Sequence, residues 1–213
     1  MHALRKKEYR KKALQFESKA YARREKLDFE NAGEYFYNAL LEWLFINEQK
    51  EALRVLKELY RNSYAKICKY LLDEKWEIIP KMVERNIQGY NHMLKLVKNA
   101  EKYIEYFQYM ADTILKAYRK RNIYILSNII VNHRYLGELY EPLLTEITKQ
   151  LKLGYAHILS IKEKFNIGYK ATVNYIKILL YNNIVEGVLN NKNTVIYTEK
   201  YIKNIIVETL EQL

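Results

Sequence analysis

The 213-residue chain has one cysteine, two prolines, six glycines and four serines. A lone Cys68 excludes an internal disulfide and any cysteine-rich zinc site, and its setting in Ile67-Cys68-Lys69-Tyr70-Leu71 predicts a buried helical position. With Gly33 and Gly89 the only glycines and Pro80 the only proline before residue 130, little punctuates that stretch except polar turns, so it is expected to be mostly helical. The longest uncharged run, 122–133, is shorter than the roughly 20 apolar residues that a membrane span needs. Met1-His2-Ala3-Leu4 passes directly into Arg5-Lys6-Lys7 without the apolar stretch of a secretory signal, and the expected setting is the reducing cytoplasm, with no membrane partner.

Catalytic signatures are missing too. There is no Gly-rich phosphate loop ending in Gly-Lys-Ser/Thr, no Gly-x-Gly-x-x-Gly, no His-Glu-x-x-His and no Gly-x-Ser-x-Gly. His2, His92, His133 and His157 are isolated from one another, so neither metal nor cofactor is expected. The expectation is a protein that is not an enzyme.

What is present is positive charge, with a net charge of +11 and a pI near 9.4, a balance that steers a protein toward polyanions. It is concentrated in residues 1–26, where ten cations face three glutamates, and Arg5, Lys6, Lys7, Arg10 and Lys11 are the candidates for phosphate contact. A second knot, Lys116 with Arg119-Lys120-Arg121, falls at the end of a long helical pattern, where cations also complement the helix dipole.

Apolar spacing predicts helices over 4–26 and 29–47, with Asp28 as the N-cap between them. Further helices are expected over 48–60, 63–72 and 75–85, the last kinked or restarted at Pro80. Tyr90, Met93, Val97, Ala100, Ile104, Phe107, Ala111, Ile114 and Tyr118 then hold every a and d position of four heptads. One continuous helix of roughly 45 Å is expected there, its seam covered by neighbouring helices of the chain or, alternatively, by a second copy in a homodimer. A helix over 122–139 carries Ile125, Ile129 and Leu136, Pro142 opens another over 143–151, and Ser160 caps a short one over 161–165. The division falls between a helical domain, 1–136, and a C-terminal domain, 137–213.

In the C-terminal domain a tight turn at Gly168 precedes a helix whose positions Val173, Ile176 and Leu180 pack, leaving Tyr169, Lys170, Asn174 and Lys177 on a free face. Two β-branched runs follow, 184–189 and 194–197, joined by Asn190-Asn191-Lys192-Asn193, and a final helix is expected over 199–213. Helix, tight turn, second helix and hairpin make a winged helix-turn-helix. The whole is therefore expected to be mainly α: a helical-hairpin bundle, an α+β winged helix and a terminal helix.

The stretch 167–185 resembles the DNA-reading gamma domain of FtsK-type DNA translocases, through Ile167-Gly168-Tyr169, Ile176 and Ile184-Val185. That resemblance covers about a tenth of the chain and implies the fold and contact with duplex DNA. Family positions matching Lys170, Ala171 and Asn174 carry polar and arginine side chains that reach base edges; Ala171 and Asn174 stand here where arginines are expected, so no sequence preference carries over. The expected contact set is Tyr169, Lys170, Thr172, Asn174 and Lys177 in a major groove, with Asn191 and Lys192 on the adjacent backbone or minor groove. Asn174 is the candidate for a base edge, since its amide can pair bidentately with adenine.

Phe16, Ala20, Ala32, Phe36 and Ala39 resemble the packing positions of one tetratricopeptide-type hairpin, with no second copy at the period of about 34. Helical hairpins ending in a winged helix and one more helix also resemble PCI modules, where the winged helix docks on protein partners. Two expectations follow: a DNA-binding protein, whether a transcription regulator or a replication or segregation factor, and alternatively a scaffold for protein assembly.

Overall fold

The structure is a computed structural model, and it describes residues 2–182, 190–192 and 195–197. It is mainly helical. The basic helix α1 (His2–Glu25) turns at Leu27 into α2 (Phe29–Phe45), and the Asp28 side chain accepts from the Asn31 N–H at 3.3 Å, capping α2 as its position suggests. Ala13, Ala20, Ala32 and Ala39 are fully buried, so the two helices lie close together.

The next helix, α3 (Gln49–Leu72), is unbroken where the sequence suggests two helices with a polar turn at 61–62. Arg61 and Asn62 are polar but buried, and every turn of the helix can continue because both are bonded: Asn62 Nδ2 donates to the Phe29 carbonyl oxygen at 2.6 Å, and Arg61 reaches Glu58, Glu138 and the Tyr135 carbonyl oxygen. Pro80 lies in the first turn of α4 (Ile79–Met93), after a short 3-10 turn at Trp76–Ile78, so it starts a helix and kinks none.

The expected 45 Å helix is two helices, α4 and α5 (Ile104–Lys120), separated by a turn in which Asn99 takes φ 59° and by a 3-10 turn at Ala100–Tyr103. The break lets the seam fold onto α3. Tyr90 and Phe107 would lie roughly 25 Å apart on one straight helix, yet their ring centroids are 4.8 Å apart and both pack on Tyr60. Most of the seam is buried inside the chain; Ile104 is 44% exposed and Tyr118 half-buried.

The expected helix over 122–139 is likewise divided, into a 3-10 turn (Ile123–Leu126), α6 (Ser127–Ile130) and the start of α7 (Gly137–Lys152). Gly137 is required at this bend, since a Cβ there would stand 2.8 Å from the Asn132 carbonyl carbon. Pro142 falls inside α7 and does not open it.

After Gly154 comes a strand with no counterpart in the sequence reading, β1 (Tyr155–His157), then α8 (Ile158–Phe165), α9 (Tyr169–Tyr181), β2 (Asn190–Lys192) and β3 (Val195–Tyr197). His157, not Ser160, caps α8: its Nδ1 accepts from the Ser160 N–H at 3.2 Å. β3 is central and antiparallel to both neighbours, in the order β1-β3-β2, with Ala156 and Asn191 opposite Ile196. Asn190, Asn191 and Lys192 therefore belong to a strand rather than to its connecting loop. The expected strand over 184–189 and the terminal helix over 199–213 lie outside the described residues. One apolar core runs through the molecule from Ala13 to Ile196.

Candidate nucleic-acid interface

The leading end of α9 is seated on the last turn of α3, through three successive residues. Asn174 Nδ2 donates to the Leu72 carbonyl oxygen at 2.8 Å, the Ala171 N–H donates to Asp73 Oδ1 at 3.3 Å, and Lys170 Nζ lies 2.7 Å from Glu74 Oε2. The first N–H groups of a helix lack partners and its N-terminus is electropositive, so the Asp73 carboxylate answers both needs. Thr172 closes the turn by donating from Oγ1 to the Gly168 carbonyl oxygen at 2.9 Å.

Lys69, one turn earlier on α3, grips the same corner. Its Nζ donates to the carbonyl oxygens of Leu27 and Asn166, each at 3.2 Å, and both residues are left-handed ones that end a helix, with φ of 54° and 49°. One ammonium thus sits at the negative ends of α1 and α8. Burial pushes its pKa down, against the opposing pull of Asp28 and Asp73. Glu74 is held below the usual carboxylate range by its bond to Lys170.

These contacts correct the expected free face. Asn174 is 4% exposed and Thr172 fully buried, because the stripe Lys170, Asn174, Lys177 and Tyr181 runs along the end of α3 and the 123–126 turn, which cover its middle at Asn174 while Lys170 and Tyr181 stay exposed. The other side of α9 is buried as well: Ile176 has no exposure, Val173 and Leu180 are half-buried, and the Tyr175 ring lies 5.3 Å from that of Tyr140. Lys170 and Tyr169 remain at the surface, Lys177 partly so. Asn191 and Lys192 are placed by backbone only, on the outer strand of the sheet.

The cations of α1 are placed differently. Tyr9 packs on Phe45, the last residue of α2, with ring centroids 4.4 Å apart, so the first two turns of the 24-residue α1 run past the end of the hairpin. Arg5 and Lys7 on those turns, and Arg10 and Lys11 just beyond Tyr9, are exposed and make no ion pair among the described residues, whereas Lys6 pairs with Glu48 at 2.8 Å. Leu4 and Leu14, 77% and 51% exposed, share a face with Lys7 and Lys11 at helical spacings of three and four.

Asp73 and Lys69 are the residues that sequence reasoning missed. Nothing local marks them, since a Leu-Leu-Asp-Glu helix end is ordinary, and only the return of the chain a hundred residues later gives them partners. Among the described residues no helix is long and apolar enough to cross a membrane, and no three His, Cys, Asp or Glu residues gather as metal ligands. The sequence matches no family model and no curated protein.

Proposed function

We propose that the chain is a non-enzymatic DNA-binding protein in which residues 137–213 form a winged helix and the exposed half of α1 supplies most of the contact with the phosphate backbone. The order α7, β1, α8, α9, β2, β3, with β3 central in the sheet, supports the winged-helix reading. The observation that carries the DNA reading is the exposed start of α1, where Arg5, Lys7, Arg10 and Lys11 stand in solvent and form no ion pair among the described residues, although the charge of Arg10 acts on Glu48. Four unpaired cations on one helix displace counterions from a polyanion, giving affinity without base readout. In this arrangement α9 contributes Tyr169, Lys170 and Lys177 from its rim and does not offer Asn174 to a base edge. A transcription regulator or a replication or segregation factor of low sequence selectivity fits these features. The test is whether reversing the four cations to glutamate weakens duplex binding.

A second reading, a PCI-like scaffold, draws support from one observation: the α9 stripe is used within the chain, against Leu72, Asp73 and Glu74. On this reading the corner is a rigid mount for a protein partner, and α1 reversal leaves duplex affinity unchanged.

A further inference from the structure

The junction beside α9 carries aromatic rings and cations that the contacts of α1 leave unused. Trp76 follows Glu74 by two residues, and the Arg121 guanidinium lies over its ring at 4.7 Å and over Tyr118 at 5.2 Å. Three residues beyond Arg121, the Tyr124 ring stacks on Tyr181 at 4.8 Å with 27° between planes. One helical turn back from Tyr181, Lys177 lies on the same face of α9 as Lys170, which pairs with Glu74 at 2.7 Å. α9, the end of α5 and the turns at 76–78 and 123–126 thus meet around one patch.

Two features of the patch are not explained by packing. Tyr181 is 62% exposed although it is stacked, and Arg119 and Lys120, which precede Arg121 in the last turn of α5, are exposed with no ion pair among the described residues. An exposed ring, Tyr181, beside the half-buried Trp76 and with cations close by suits a ligand that presents flat faces and phosphates alternately. In a duplex those faces are covered by neighbouring bases, whereas a single strand offers them to aromatic side chains.

We propose that this junction binds single-stranded nucleic acid, with bases stacking on Tyr181 and Trp76 and phosphates pairing with Lys177, Arg119 and Lys120. It shares with the proposed function the class of partner and Lys177, and it otherwise uses a different surface from α1.

The test uses the whole chain with 15-nucleotide oligo-dT and oligo-U. Trp43 is 2% exposed and Trp76 half-exposed, so tryptophan quenching by the oligonucleotide reports on Trp76. The expected result is quenching that Trp76→Phe removes, together with a loss of affinity of roughly 5- to 150-fold in Tyr181→Ala, as stacking of one base implies. Arg119→Glu with Lys120→Glu should weaken binding further, while circular dichroism and thermal melting stay those of the parent. Oligonucleotide binding without quenching and unchanged in Tyr181→Ala overturns the assignment of this surface. Duplex binding without any single-strand binding overturns it too, and leaves the reading of α1 standing. Quenching by oligo-dT in a protein that α1 reversal leaves unaltered toward duplex supports the junction and removes the α1 reading.

Discussion

Asn174 and Leu72, 102 positions apart in the sequence, are joined by a buried hydrogen bond of 2.8 Å from a side-chain amide to a main-chain carbonyl oxygen. Removing the amide leaves that carbonyl without this donor, a loss of about 1–3 kcal/mol for a buried group. Asn174→Ala is therefore expected to lower stability by that amount in urea or thermal melts. Lys177→Ala, on the partly exposed edge of the same stripe, should change it by about 0.5 kcal/mol or less. Equal, negligible effects would place α9 away from α3.

Gly168 and Asp73 are coupled by crowding. A Cβ at Gly168 would fall 2.0 Å from Asp73 Oδ1, and turning that carboxylate away removes the acceptor of the Ala171 N–H. Gly168→Ala is expected to destabilise by roughly 1–3 kcal/mol, through the clash and the lost cap. In an Asp73→Ala background the same change should cost much less, so a double-mutant cycle gives a coupling of about 1 kcal/mol or more. Additive effects would contradict the contact.

Glu58 lies between Arg24 and Arg61 on α3, and Arg61 continues to Glu138 of α7 at 3.0 Å. Burial pushes the Glu58 carboxyl up, but the two guanidinium groups outweigh it and hold it below its ordinary value. A lowered folded-state pKa means that the stabilisation is fully present above the ordinary glutamate value of about 4.3 and is lost as pH falls from there through the lower folded-state value. Glu58→Gln should be less stable than the parent at pH 7, and its stability should fall less steeply below about pH 4.3. Urea melts at pH 7 and pH 3.5 check both halves; a parallel fall in the two proteins would contradict the pairing.

How much of this was legible in the sequence depended on the range of the interaction. Ala20, Ala32, Phe36 and Ala39 announced the α1–α2 hairpin because their spacing is local, and all four are fully buried. The heptad from Tyr90 to Tyr118 named most of the core residues correctly and misjudged their continuity. Nothing in an apolar spacing distinguishes one long helix from two that fold back on Tyr60, and Asn99 is a weak breaker. Arg61 and Asn62 looked like a turn because their partners, Glu138 and the Phe29 carbonyl oxygen, are remote or belong to the main chain. The same blindness affected the site: Lys170 and Asn174 stood correctly on one face of α9, but the sequence held no sign that the end of α3 covers it. The excess of cations in α1 was readable; their freedom from ion pairs at Arg5, Lys7, Arg10 and Lys11, and the engagement of Lys6 with Glu48, were not.

The central claim is that α1 supplies phosphate contacts, and duplex-DNA affinity across a salt series, measured for the parent and for the Arg5, Lys7, Arg10 and Lys11 to glutamate variant, tests it most directly. Each phosphate contact contributes about 0.9 to the slope of log affinity against log salt on B-DNA. The account predicts a parent affinity that falls steeply between about 50 and 200 mM salt, and a variant that binds more weakly with a slope shallower by roughly two to four. A parent affinity that is flat with salt, or a variant indistinguishable from the parent, would contradict it.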